Sequence, residues 1–193
     1  AGRPEGERRQ LDEAAGELAR LGALVDDLLE LSRLEAGRQQ LELGPVEPVG
    51  LLEEVLKVYR GVAEEGGVQL SADLAPDLPS VEADSARLRR VLEHLLSYAL
   101  HVTGAGGRVV VSADAVGRFV QFSVADDSVG ISPEEQGRLF ERFLRFRHPD
   151  GSESTGLGLA MAREIVRAHG GSIWVDSGPG PASVISFTVP TAG

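Results

Sequence analysis

The sequence predicts an α+β domain, a two-layer sandwich of one mixed sheet with helices on one face, preceded by a helical segment. Three observations lead to this prediction. Apolar residues recur at seven-residue spacing over the first 36 residues. From residue 49 onward, helical and strand-like segments alternate. Between the two parts lies the turn-rich stretch Leu43–Pro48, which predicts a division into units 1–40 and 44–193.

The N-terminal segment has the pattern of a helix that packs against other helices. Its apolar positions form two series with a spacing of seven, Leu11, Leu18, Val25 and Ala14, Leu21, Leu28. Charged residues occupy the opposite face. The alternative is an amphipathic core helix of a single domain, which the turn-rich stretch disfavours. Because a lone heptad helix needs partners, we expect a dimeric helical bundle.

The second unit has the element order of a sandwich. Periodicity and turn residues predict helices over 49–65, 84–101, from 132 and over 156–169, and strands over 68–74, 108–113, 119–125, 172–177 and 183–189. Asp84 is placed to cap the second of these helices. Ser132, followed by Pro133, is placed to begin the third.

Composition excludes several kinds of function. The net charge of −11 gives no basic surface for a nucleic-acid duplex, so no nucleic-acid partner is expected. The absence of cysteine excludes thiolate chemistry, and the four histidines lack metal-ligand spacing. No apolar run reaches the roughly 20 residues that cross a bilayer. We therefore expect a cytoplasmic chain, which could be the cytoplasmic end of a membrane protein.

The first candidate motif for chemistry follows a predicted strand. Asp126 ends the strand, and Gly130 and Ile131 follow four and five residues later. Such a carboxylate can accept a hydrogen bond from an exocyclic amino group, and a glycine lets a flat base approach the backbone. Alone, the pattern is more typical of an ordinary loop.

Two further motifs lie nearer the C-terminus. The segment Ser154–Ala160 places Gly156 and Gly158 at the start of a helix, where backbone N–H groups and the helix dipole favour an anion. It lacks the Gly-Lys-Ser/Thr of a Walker loop, and close packing of a glycine-rich turn is the alternative. Phe140 and Phe143 form an aromatic pair on a predicted short helix, which core packing alone could explain.

In this order and spacing, the motifs resemble the sensor histidine kinases of two-component signalling, in the superfamily that also contains type II topoisomerases and ATP-dependent chaperones. The resemblance implies a Bergerat-type ATPase fold and covers nearly the whole chain. The matching segments are the end of the second dimerisation helix (24–37), the asparagine box (84–103), the first glycine box (126–131), the aromatic box (Phe140, Phe143) and the second glycine box (155–159), with 144–155 as a short ATP lid.

The resemblance also implies a binding site for ATP with magnesium. The aspartate matching Asp126 would hold the adenine amino group, and Gly130 and Ile131 would border the base. The phosphates would lie near Thr155, Gly156, Leu157, Gly158 and Leu159, with Arg145 or Arg147 as a charged donor. The partners implied are a second copy of the chain and a response regulator.

The asparagine box departs from the family pattern. His94 and Tyr98 stand at its two asparagine positions, the second of which normally binds magnesium, and His101 stands where a lysine is common. A tyrosine supplies no amide oxygen, and magnesium prefers hard oxygen ligands. These changes, together with Ser128 in place of a glycine, predict an impaired magnesium–ATP site.

The phosphoacceptor of such kinases is a histidine on the first dimerisation helix. No histidine precedes His94 in this sequence. We therefore expect the acceptor on a missing segment or on another chain. The alternative function is a catalytically inactive pseudokinase that regulates by binding. A third, less favoured possibility is an active variant that uses Asp127 or His94 in a different metal or phosphate geometry.

Overall fold

A computed structural model describes residues 22, 25, 28–29, 31–33, 40–128, 130–143, 156–177 and 182–193. Its elements, in chain order, are β1 (Gly44–Val46), α1 (Pro48–Glu65), β2 (Gln69–Leu74), β3 (Val81–Ala83), α2 (Ser85–Val102), β4 (Arg108–Val116), β5 (Phe119–Asp126), α3 (Pro133–Arg138), α4 (Gly158–Ala168), β6 (Ile173–Ser177) and β7 (Ser183–Pro190).

The main sheet is mixed, as the sequence predicts. Its five strands lie in the order β2-β4-β5-β7-β6, with β2 parallel to β4 and every other pair antiparallel. A separate two-stranded ribbon joins β1 to β3. Helices α2 and α4 pack against each other and against the sheet. The α+β fold class is confirmed.

The core lies between the sheet and the long helices. Alternate residues of the central strands point inward and are fully buried, among them Val111 of β4, Phe122 of β5 and Phe187 of β7. The rings of Phe122 and Phe187 stack with their centroids 4.9 Å apart. The buried helical residues recur at the spacing of one helix face, as in Leu88, Val91, Leu92, Leu95, Leu96 and Ala99 of α2.

Both predicted helix caps are present. The Asp84 side chain accepts a hydrogen bond from the backbone N–H of Arg87 at 3.2 Å. Ser132 and Glu135 form a reciprocal capping box at α3, with Pro133 at its first position. These local signals correctly located both helix starts.

Two short strands were not predicted. β1 lies within the stretch expected to be a linker, and β3 precedes α2. Three residues are too few to show a hydrophobic period, so these strands depend on pairing with each other. The turn between β4 and β5 is also tighter than expected, because Gly117 has a φ of 59° and the turn needs only Gly117 and Arg118.

The described residues of the N-terminal segment are helical. Leu31 is fully buried, whereas Val25, Leu28 and Leu29 are 56%, 42% and 50% exposed. The predicted bundle stays a prediction. Within the ranges that the structure describes, no helix combines the length and the apolar character that crossing a membrane requires.

Candidate functional site

Asp126 is a buried carboxylate at the end of β5, with only 4% of its surface exposed. Its Oδ2 accepts a hydrogen bond from the hydroxyl of Ser183 at 2.6 Å, and its Oδ1 accepts one from the backbone N–H of Ser128 at 3.0 Å. An ionised carboxylate has only acceptor capacity, so any further partner must be a donor. This geometry suits an exocyclic amino group.

Ser183 is a site residue that the sequence analysis missed. It begins β7 and stands directly opposite Asp126 in the antiparallel register. Because cross-strand partners lie about 5 Å apart, the pairing brings its hydroxyl to the carboxylate. The sequence shows only a serine at the start of the last predicted strand. Its contact with Asp126 could be inferred only if the order of the strands were known.

Backbone hydrogen bonds at Gly130 and Ile131 hold the loop that follows Asp126. Gly130 has a φ of 41°, and its N–H donates to the carbonyl of Ser128 at 2.8 Å. The N–H of Ile131 donates to the hydroxyl of Ser177 at 2.8 Å, and the Ile131 side chain packs against the core. These bonds hold the loop that follows Asp126 in the chain.

Asp127 has a structural function at the end of the β4–β5 strand pair. Its Oδ1 accepts a hydrogen bond from the N–H of Arg108 at 2.8 Å, and its own N–H donates to the carbonyl of Arg108 at 3.3 Å. A Cβ on Gly107 would lie 2.6 Å from the same oxygen, so the glycine makes room for this contact. The bonds close the end of the β4–β5 pair and give no support to Asp127 as a metal or phosphate ligand.

Tyr98 lies close to two carboxylates and is 8% exposed. Burial, and then the nearby charges of Asp126 and Glu135, raise the pKa of the Tyr98 phenol well above its usual value. A phenol that stays neutral is a poor ligand for magnesium. Among the described residues, no group of three or more His, Asp or Glu side chains could hold a metal ion.

His94 packs against the start of α4. A Cβ on Gly158, the first residue of α4, would lie 2.9 Å from Nδ1 of His94. The glycine is therefore required for close packing of α4 against His94. Close packing is the alternative to phosphate binding that the sequence of this glycine-rich segment left open. His101 lies two turns beyond His94 on the same side of α2 and is 9% exposed.

The structure places only part of the second glycine box. Leu157 and Leu159 are buried in the core, so their backbones alone could face a ligand. Gly156 has a φ of 69°. The residues Thr155, Arg145 and Arg147, predicted to lie near the phosphates, are outside the described residues.

The aromatic pair does not lie on a helix, which corrects the prediction. α3 ends at Arg138, and both rings follow in turns. Phe140 packs against the core, whereas Phe143 is 59% exposed with a φ of 63°. The N–H of Phe143 donates to the carbonyl of Gly156 at 2.8 Å. This backbone bond, rather than aromatic packing, sets the place of Phe143.

His169 is a buried structural residue. Its Nε2 accepts a hydrogen bond from the N–H of Asp84 at 3.0 Å, so its Nδ1 carries the proton and donates to the carbonyl of Ile165 at 2.8 Å. Burial lowers the pKa of the His169 imidazole, because the charged form is desolvated. The contact joins the end of α4 to the start of α2.

Known proteins share this fold and resemble this chain in sequence. The model of the family described as "Histidine kinase-, DNA gyrase B-, and HSP90-like ATPase" matches residues 83–193. The adaptive-response sensory kinase SasA of Crocosphaera subtropica is 35% identical over 171 residues, which are 88% of this chain and 45% of that protein. The chain thus spans less than half the length of this relative.

Solved structures of histidine kinases are also similar to this chain. Full-length ShkA in complex with AMPPNP has a TM-score of 0.87 and 32% identity, covering 100% of this chain and 41% of that one. The histidine kinase ThkA in complex with the response regulator TrrA has a TM-score of 0.76 and covers 100% of this chain and 53% of that one. At 24% identity, ThkA shows a shared fold alone.

Proposed function

The chain belongs to the family of histidine kinase-, DNA gyrase B- and HSP90-like ATPases, and from this premise we propose that it is the catalytic and ATP-binding domain of a sensor histidine kinase whose magnesium–ATP site is impaired. The observation that supports the proposal most strongly is the burial and hydrogen bonding of the Asp126 carboxylate. This carboxylate is buried, and hydrogen bonds from Ser183 and Ser128 occupy one acceptor position on each of its two oxygens. An adenine amino group is the donor that such a site would take.

The proposed impairment rests on Tyr98. Its buried phenol lies near Asp126 and Glu135, so the surroundings of this ring are acidic. A polyanion there would need a metal or a cation to offset its charge, and phosphoryl transfer depends on that neutralisation. The tyrosine provides neither. We therefore expect binding through the base, with little contribution from magnesium.

A pseudokinase that acts by binding is the second candidate. The aromatic side chains of His94 and Tyr98 stand one turn apart on α2 at the two positions where the family resemblance implies asparagines. His94 packs on Gly158, at the helix start where phosphates would be expected. The His94 ring thus occupies space beside the start of α4, which favours a fold that is retained for binding rather than for phosphoryl transfer.

The partners of the whole protein follow from the same proposal. Val25, Leu28 and Leu29 form an exposed apolar face on the N-terminal helical segment, which supports pairing with a second copy in a bundle. A response regulator is the expected recipient of the phosphoryl group. The phosphoacceptor histidine would come from residues outside these 193 or from another chain, and the site of action would be cytoplasmic.

Calorimetric titration tests the proposal directly. The purified chain is titrated with ADP and with a non-hydrolysable ATP analogue, each with and without magnesium. We expect binding of both ligands that magnesium strengthens by less than about threefold. A gain of about tenfold or more, worth about 1.4 kcal/mol, would show that other groups hold the metal and would contradict the impairment.

A pair of matched variants identifies the base site. Asp126→Asn replaces an oxygen acceptor with an amide donor facing the amino group, so binding should fall by at least about tenfold. Asp114→Asn removes the same charge from an exposed position on β4 and should leave binding unchanged. Loss of binding in both variants would indicate a general charge effect, and loss in neither would contradict the role of Asp126. Absence of nucleotide binding by the parent would favour the pseudokinase.

A further inference from the structure

Gln136, on the short helix α3, joins two separate parts of the chain. Its side-chain Nε2 donates one hydrogen bond to the carbonyl of Ile131 at 2.8 Å and another to the carbonyl of Ser177 at 2.9 Å. An amide NH₂ has two donors, and both are used. The loop after β5 and the end of β6 are therefore tied to the same side chain.

Ser177 completes the connection. Its hydroxyl accepts the hydrogen bond from the N–H of Ile131 and donates one to the carbonyl of Ala182 at 3.3 Å. Both backbone polar groups of Ile131 are thus held, one by Ser177 and the other by Gln136. We refer to Gln136, Ser177 and Ile131 together as the loop latch.

The hydrogen bonds of the loop latch are separate from the apolar packing that holds the end of α3 in the core. None of the six residues of α3, all of which the structure describes, is buried. Leu139, directly after the helix, is 1% exposed and anchors that end of the region in the core. Gln136 adds little buried apolar surface of its own. Its two bonds instead fix the position of a loop backbone.

We propose that Gln136 is a positioning residue, which holds the backbone of Ile131 at the distance from Asp126 that a bound base requires. The nucleotide part of this inference rests on the proposed function. Ile131 lies in the loop that follows Asp126, where the proposed function puts the border of the base, so a shift of its backbone would move that border. The side chain of Gln136 acts through Ile131 and does not itself touch the base.

The test compares two glutamines. Gln136→Leu keeps most of the side-chain volume and removes both donors. Gln136→Glu places acceptors against two carbonyl oxygens and should act at least as strongly. Gln121→Leu is the matched control, because Gln121 is also partly buried and donates one side-chain bond, to the hydroxyl of Ser123 on the same strand.

Amide hydrogen exchange measured by NMR is the first readout and needs no nucleotide. In Gln136→Leu, exchange at Ile131 should become about tenfold faster, because the loop opens locally, while amides of the core strands keep the rate of the parent. Gln121→Leu should leave Ile131 unchanged. Equal rates at Ile131 in the two variants would overturn the proposal.

Titration with ADP is the second readout. Gln136→Leu should raise the dissociation constant about tenfold, and Gln121→Leu should change it less than about twofold. If Ile131 loosens and ADP affinity is unchanged, positioning of the base is disproved. If the parent binds no ADP, the proposed function fails, and hydrogen exchange alone decides whether Gln136 holds Ile131.

A double variant tests whether the two contacts act together. Ser177→Ala removes the acceptor for the Ile131 N–H. If Ser177 and Gln136 form one latch, combining Ser177→Ala with Gln136→Leu should weaken ADP binding by less than the product of the two separate effects. Fully multiplicative effects would contradict a shared latch.

Discussion

The hydroxyl of Ser183 donates a hydrogen bond to Oδ2 of Asp126 at 2.6 Å across the paired ends of β5 and β7. Ser183 is fully buried. Hydrogen bonds to a charged group are shorter and stronger than neutral ones, so this contact both fixes the carboxylate and reduces the cost of its burial.

Ser183→Ala should therefore destabilise the domain and weaken nucleotide binding. Loss of a hydrogen bond to a buried carboxylate costs about 1.5–3 kcal/mol in the free energy of unfolding. Chemical denaturation measures this loss, and ADP titration measures the accompanying loss of affinity. Ser186→Ala is the matched control, because Ser186 is also buried on β7 but its hydroxyl pairs with the neutral hydroxyl of Ser123 at 2.9 Å. Equal effects of the two variants would show that the charge of Asp126 is irrelevant.

Restoring the two family residues on α2 should recover magnesium dependence. Tyr98→Asn with His101→Lys supplies an amide oxygen and a positive charge. Groups around a metal typically change its affinity by about 10–100-fold, so we expect the magnesium-dependent affinity for an ATP analogue to rise by at least about tenfold. Calorimetry with and without magnesium measures the change.

Tyr98→Phe is the control for this pair. It keeps the ring and removes only the hydroxyl, so it should leave the magnesium dependence as weak as in the parent. Thermal unfolding verifies that each variant is folded. If the double variant binds no better than the parent, the proposal that Tyr98 and His101 impair the magnesium–ATP site is wrong.

Gly158→Ala should destabilise the domain through His94. The new Cβ would lie 2.9 Å from Nδ1 of His94, so the ring or the start of α4 must shift. Overpacking of this kind costs about 1–3 kcal/mol, which denaturation with urea measures. Adding His94→Ala should make the Gly158→Ala change less costly, because the ring is gone.

Gly61 provides a contrast within α1. A Cβ there meets no atom within 4 Å, so Gly61→Ala should stabilise the domain by about 0.5–1 kcal/mol. Similar costs at both glycines would mean that close packing against His94 is not what requires Gly158.

His169 should make stability depend on pH. Burial lowers the pKa of its imidazole in the folded state below the ordinary value of 6.5. The charge of Asp84 raises this pKa, and the charge of Arg87 lowers it, but burial has the largest effect. The unfolded chain then binds more protons than the folded one below pH 6.5. Stability from this group is complete above that pH and is lost as the pH falls toward the lowered value.

His169→Gln isolates this contribution. At pH 8 the variant should lose about 1–2 kcal/mol, since two buried hydrogen bonds are altered. Its free energy of unfolding should then fall less steeply than that of the parent between pH 6.5 and the folded-state pKa. The difference between the two profiles removes the effect of the other titrating groups. Parallel profiles would show that the His169 pKa is the same in both states.

The sequence by itself determined the elements whose signals are local. Asp84 and Ser132 marked two helix starts, because a capping side chain acts on backbone groups two or three residues away. The long helices and central strands followed from hydrophobic periodicity. Asp126, Gly130 and Ile131 could be predicted as site residues because their spacing lies within one loop, and the family resemblance implied their role.

Only the tertiary structure decided the features that join distant parts of the chain. Ser183 reaches Asp126 through a strand register 57 residues apart in sequence, and Gln136 reaches Ser177 over 41 residues. Likewise, His94 could not be placed against Gly158 before α2 and α4 were packed together. Strand order and helix packing depend on burial of the whole core, so no local pattern specifies these contacts.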